Sequence, residues 1–165
     1  MPPFTALLHT KNDALRLGRA LETLVPCGEI LVVDHHSADA TGRIAREYGA
    51  RLVAADSQAN PQRYLELARF DWIFCLDPGE SITESLQASL FEWSALPGHR
   101  VVSGFAGAPA FSVLVREQIG EGWLDCPAPE TRLISRGWPL WRGRLPAHEP
   151  SAVALEGGLL RLAMP

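Results

Sequence analysis

Asp34 and Asp77 are the carboxylates best placed for chemistry in this sequence, because each ends an apolar run short enough to be one buried strand. Ile30 to Val33 runs into Asp34, and Trp72 to Leu76 runs into Asp77, which opens Asp77-Pro78-Gly79-Glu80. Unbroken apolar runs of this length read as strands covered on both faces. In open parallel sheets the crevice beyond the carboxyl ends of the strands binds ligands, since loops converge there and helix amino termini present free N–H groups. Acidic strand ends can hold a ribose, an imide N–H or a divalent cation, and a cation lets an acidic site accept an anionic pyrophosphate.

A purely local reading stands beside this one. After Asp34 come His35, His36, Ser37, Ala38 and Asp39, and Thr41 then opens a helix with Ile44, Ala45 and Tyr48 on one face and Gly49 as its stop. Ser37 or Asp39 as a helix cap accounts for those two residues equally well, whereas a turn role explains Asp34 less well. His35 and His36 read first as exposed turn residues, and otherwise as imidazoles facing a phosphate.

The elements that must position these groups are legible in order. Phe4 to His9 is a first apolar strand, followed by a Thr10-Lys11-Asn12-Asp13 loop in which Asp13 caps a helix carrying Leu17, Ala20, Leu21 and Leu24 at helical spacing. Arg51 to Ala54 is a third strand. Asn60 and Pro61 start a helix through Tyr64, Leu65, Leu67 and Ala68, and Trp72 to Leu76 is the fourth strand. Strand and helix alternate, which requires parallel pairing and right-handed crossovers. A longer helix over Thr83 to Leu96 follows, with Thr83 as cap, Leu86, Leu90 and Trp93 on one face, and Pro97 and Gly98 closing it. Beyond Arg100 the pattern changes to short β-rich pieces, VVSGF, AFSVLV, TRLIS, SAVAL and LLRLA, which predict a mixed or antiparallel extension of the same sheet.

Composition bounds the function. A chain of 165 residues with 47% hydrophobic content fits one domain with a real core, and no repeat or linker marks a boundary. The net charge of -4, with scattered Arg, argues against a nucleic-acid partner. Cys27, Cys75 and Cys126 form no C-x-x-C pair, so neither a zinc site nor a disulfide framework is suggested, and a reducing cytoplasm suits them. No stretch reaches the ~20 apolar residues of a transmembrane segment, which leaves only a peripheral contact at the inner face of a membrane open. There is no G-x-x-x-x-G-K phosphate loop, no G-x-G-x-x-G after the first strand, and no H-E-x-x-H.

Taken together, Thr10-Lys11-Asn12-Asp13, Val32 to Thr41, the Gln62-Arg63 pair ahead of Asp71 to Glu80, and the late His148-Glu149 resemble the motifs of a family 2 glycosyltransferase. Within that family the chain resembles the bacterial lipopolysaccharide core glycosyltransferase-like proteins. The likeness covers the first half well and the second thinly, through Arg132-Leu133, Trp141, Gly143 and His148-Glu149. The resemblance implies a GT-A fold, a mostly parallel sheet flanked by helices with a β-rich carboxyl-terminal part. It also implies an inverting transfer of a sugar from a nucleotide diphosphate donor to a hydroxyl of a carbohydrate or lipid-linked acceptor, in cell-envelope polysaccharide or lipopolysaccharide synthesis. By position, Thr10, Asn12, Asp34 and Arg63 would bind the nucleotide, with Asp77 facing the ribose. Asp77, Glu80 and His148 would hold a divalent cation, Mn or Mg, and Glu130 would take the acceptor proton. A solvated loop acid is the plain alternative for Glu130.

The departures shape the expectation. The family's Asp-x-Asp reads Asp77-Pro78-Gly79 here, so the second metal carboxylate is absent, and metal binding and transfer should be weak. A nucleotide-sugar-binding module without turnover, with a regulatory or assembly role, is the alternative, and metal dependence separates the two. A nucleotidyltransferase would need a glycine-rich basic loop after the first strand, and the sequence has none.

Overall fold

The computed structural model of the chain describes residues 3–95 and 109–163. Four parallel strands form its first half in the order β3-β2-β1-β4: β1 (Phe4–Thr10), β2 (Glu29–Asp34), β3 (Arg51–Ala54) and β4 (Trp72–Cys75). Every residue of β1 is buried, as the continuous apolar run requires. Leu8, Val32 and Phe74 face one side, where α1 (Leu17–Glu22), α2 (Thr41–Glu47) and α4 (Glu84–Ala95) supply Leu17, Ala20, Ala45, Leu86 and Trp93. Leu7, Leu31, Val33 and Ile73 face the other, under Tyr64 and Leu65 of α3 (Pro61–Leu65) and under Ala68 and Trp138. The second and fourth strands are therefore parallel, one strand apart and covered on both faces, as the sequence predicted.

Local signals are reliable for α3, where the Asn60 side chain accepts from Arg63 N at 3.1 Å and Pro61 opens the helix. That helix is shorter than expected, ending at Leu65, and Arg136 donates to the carbonyls of Leu65, Ala68 and Phe70 beyond it. Two cap assignments are corrected. Arg16, not Asp13, stands at the amino end of α1, and Ala40, not Ser37 or Asp39, stands at that of α2; neither helix has a side-chain cap bond from that position.

The second half continues the sheet as β4-β8-β6-β11-β5. Its strands are β5 (Glu80–Ile82), β6 (Ala110–Ile119), β8 (Glu130–Ser135) and β11 (Val153–Arg161), with β7 (Gly122–Asp125) paired to β6 and a separate ribbon of β9 (Trp141–Arg142) and β10 (Leu145–Pro146). Pairing is antiparallel except between β6 and β11, the mixed extension expected. Strand β5 went unforeseen, because three residues carry no periodicity. SAVAL and LLRLA prove to be one strand, β11, whose register shifts between Ala154 and Gly158. VVSGF and the Pro97-Gly98 stop lie outside the described residues.

Three strands separate β4 from β5 in the hydrogen-bonded order, yet a turn at Asp77 to Gly79 joins them, so the sheet must curl back on itself. The curl is pinned at Gly157, which has φ +88° and whose added Cβ would meet Leu86 N of α4 at 2.3 Å. Gly157→Ala is expected to destabilise by about 2 kcal/mol, from the positive φ and the clash together. An unchanged urea midpoint in the variant would show that α4 can move away freely.

Candidate functional site

Two loops meet at the carboxyl ends of β1 and β2, where Thr10 is level with Asp34. They are tied by side chains that the sequence offered partly as a ligand, Asn12, and partly as helix caps, Ser37 and Asp39. Asn12, at φ +53°, donates its N–H to Ser37 Oγ at 2.9 Å, and its Oδ1 accepts from Ala38 N at 2.8 Å. Asp39 accepts from Ala14 N and from Thr41, while Thr41 Oγ1 accepts from Asp13 N at 2.9 Å. Thr10, 1% exposed, donates its hydroxyl to Asp13 Oδ2 at 2.7 Å. Thr10 and Asn12 thus build the loops. Asp34 does part of the same work, its Oδ1 accepting from Ser37 N and Oγ, but its Oδ2 accepts nothing from the described residues.

Beside this cluster lies a 220 Å³ hollow lined by His9, His35, Asp56, Tyr64 and Arg144 among others. His9 Nδ1 and His35 Nε2 are 2.9 Å apart, and the Tyr64 ring meets His9 edge-on. Burial first, then the charges of His35 and Arg144, drive the His9 pKa down to about 3 from 6.5, so this imidazole is neutral. His35 is consequently a partner of His9 rather than an idle turn residue, while exposed His36 at φ +59° fits the turn reading. Arg63 stands off from the hollow and reaches it only through its 3.2 Å ion pair with Asp56. The His9–His35 pair was invisible in sequence, because 26 residues separate its members.

Asp77 is the turn acid at the end of β4. Its Oδ1 accepts from Gly79 N at 2.9 Å, and its N–H donates to Glu80 Oε1. Glu80 is 1% exposed, and Arg132, fully buried, grips both of its oxygens at 2.7 and 2.8 Å. Arg161 adds a contact to Glu80 Oε2 at 3.1 Å and another to Glu130 Oε2 at 2.8 Å, while Arg132 reaches Glu130 Oε1 at 2.8 Å. Two acids and two guanidiniums therefore close a neutral tetrad across β5, β8 and β11. Glu130 is neither a loop residue nor simply solvated. Burial pushes its pKa up, but the charge of Arg132 and the bonds from both arginines outweigh that and hold it below the usual carboxylate value. It fronts a 460 Å³ hollow with Arg142, His148 and Arg161.

These residues do not fit a divalent cation. Glu80 has both oxygens in the guanidinium grip, Gly79 offers no carboxylate, and His148 lies in the Glu130 hollow. Asp77, Glu80 and His148 form no cluster of metal-donor side chains, and none exists among the described residues. Moreover, a Cβ added at Gly79 would stand 2.8 Å from Nη1 of Arg16, so a positive charge occupies the space where the second acid would point. Arg16 and Arg161 carried no sequence signal, and Arg132 entered only through the Arg132-Leu133 likeness, with no role attached.

The three cysteines are free, and no helix among the described residues is long and apolar enough to cross a membrane. Comparison with known protein families returns no match. Among curated proteins, an uncharacterised glycosyltransferase of Rickettsia felis is 32% identical over 91 residues, covering 53% of this chain and 32% of that protein. This chain thus spans about a third of the length of the curated relatives it matches. Among solved structures, S. aureus TarS superposes with a TM-score of 0.51 at 17% identity, over 81% of this chain and 28% of that one. Glucosyl-3-phosphoglycerate synthase from Mycobacterium tuberculosis, solved with Mn2+, UDP and glucosyl-3-phosphoglycerate, gives a TM-score of 0.48 at 16% identity, over 71% and 44%. The sheet order and the TarS superposition agree on a GT-A fold, and over about half of its length the chain is similar to curated glycosyltransferases.

Proposed function

We propose that this chain transfers a sugar from a nucleoside diphosphate donor to an acceptor hydroxyl, with inversion at the anomeric carbon. The observation that carries the reading is Asp34, level with Thr10 at the crevice of a GT-A sheet, with Oδ2 left open by the turn that occupies Oδ1. Asp34 takes a hydrogen bond from the base or ribose, with Arg63 beyond Asp56, and Asp77 faces the ribose across the crevice. Glu130 takes the acceptor proton as the acceptor oxygen bonds to the anomeric carbon and the diphosphate leaves with the old bond's electron pair. His148 lines the same hollow as Glu130. A carbohydrate or lipid-linked acceptor of the cell envelope, met at the cytoplasmic face of a membrane, is the setting the motif resemblance favours.

Glu130 is held ionised by two guanidiniums, and the lowered pKa makes it a weak base, so slow transfer is expected. The same clamp favours the second reading, a nucleotide-sugar-binding module without turnover. A panel of nucleoside diphosphates and their sugars, scored by thermal shift and donor hydrolysis, separates the two: binding without hydrolysis selects the module.

Asp34→Ala should weaken nucleotide binding by about 1–3 kcal/mol in calorimetry. Asp34→Asn is the sharper variant. It keeps an oxygen for the Ser37 turn while replacing the second acceptor by a donor, so it should lose affinity with little loss of stability. Unchanged affinity in a folded Asp34→Asn protein removes Asp34 from the site and the reading with it.

A further inference from the structure

We infer that Arg16 supplies, as a fixed positive charge, what a divalent cation would otherwise supply at this crevice: stabilisation of the departing diphosphate. The inference rests on the glycosyltransferase reading above and concerns how its leaving group is held. Arg16 precedes α1, and its Nε donates to Asp13 Oδ1 at 2.8 Å. Asp13 is 7% exposed and also accepts from Thr10 Oγ1 and Lys11 N, so the anchor belongs to the loop at the carboxyl end of β1. From that anchor the guanidinium crosses to the turn between β4 and β5. Nη1 lies 2.8 Å from the position a Gly79 Cβ would take, and Asp77 Oδ1 lies 3.3 Å from that same position.

Neither Nη1 nor Nη2 of Arg16 donates a hydrogen bond to any of the described residues, and the side chain is 23% exposed. A guanidinium held at Nε alone keeps its outer N–H groups for an anion, and a planar fork suits phosphate oxygens. At the Asp77–Glu80 turn itself the other two guanidiniums are already paired. Arg132 and Arg161 are balanced by Glu80 and Glu130 within the tetrad. When the anomeric C–O bond breaks, its electron pair stays on the diphosphate, and Arg16 offsets the charge that develops there. Glycine at position 79 is then required rather than degenerate. A carboxylate there would pair with Arg16 and cancel the charge.

Calorimetry with UDP, GDP, ADP and CDP, in EDTA and in manganese, tests this. The natural protein should bind at least one of them equally well in both conditions. Arg16→Ala and Arg16→Gln should bind it about ten- to a hundredfold more weakly, whereas Arg16→Lys should keep part of the affinity. Gly79→Asp alone should also lose affinity, and the Arg16→Ala/Gly79→Asp double variant should recover it only in manganese. Binding abolished by EDTA and restored by manganese in the natural protein overturns the inference, as does unchanged affinity in an Arg16→Ala or Arg16→Gln protein folded by circular dichroism. Either result leaves the glycosyltransferase reading standing. No binding of any diphosphate in either condition removes that reading, and the role of Arg16 falls with it.

Discussion

Arg132→Ala should lower stability by about 3–5 kcal/mol, enough to shift the melting temperature of a chain this size by roughly 10 °C. The side chain is fully buried and bonds to Glu80, Glu130 and the Cys75 carbonyl, so one truncation releases contacts on β4, β5 and β8 together. The loss comes less from the pair's own attraction than from Glu80, which stays buried with only Arg161 to balance it. Arg132→Lys is not conservative here, because one ammonium cannot reproduce two parallel bonds to a carboxylate. The discriminating variant is Arg132→Met with Glu80→Met, which removes both charges and keeps volume. It should be more stable than either single change. Urea melts giving a loss below about 1 kcal/mol for Arg132→Ala would mean the tetrad is hydrated and the curled half is held by apolar packing alone.

Acid should destabilise the protein through His9 well before its carboxylates titrate. The folded pKa is about 3, against 6.5 for the free side chain, so between these values the unfolded state binds a proton that the folded state does not. Stability is therefore complete above pH 6.5 and falls as pH drops towards 3, at about 1.4 kcal/mol per pH unit. Between pH 6.5 and roughly pH 5 the expected loss is about 2 kcal/mol, in a window where ordinary carboxylates remain ionised. His35 contributes in the same direction, since burial and Arg144 also lower its pKa. His9→Leu should flatten this limb. A natural protein whose urea midpoint is constant over that window would show that His9 protonates without unfolding, through water entering the hollow it shares with Tyr64 and Arg144.

The parallel half of this protein is legible in its residues taken in order. The cores of β2 and β4 are continuous apolar runs, β1 is mostly apolar, and α3 starts with a local signal, Asn60-Pro61; burial patterning and capping are properties of a few adjacent residues. The strand-end positions of Asp34 and Asp77 followed for the same reason. The partners of those acids and of their neighbours are set by the folded sheet. Glu80 read as a metal ligand beside Asp77, because nothing within several residues announces Arg132, which lies 52 positions away and meets it only when the sheet curls. Gly79 read as a lost metal ligand, because the guanidinium filling its space arrives from the far side of the crevice. His35 meets His9 across neighbouring parallel strands, and β5 exists because β11 offers it an edge. Charge and hydrogen-bond partners are chosen by register and curvature, which depend on every strand at once, whereas the burial of one segment is written in that segment.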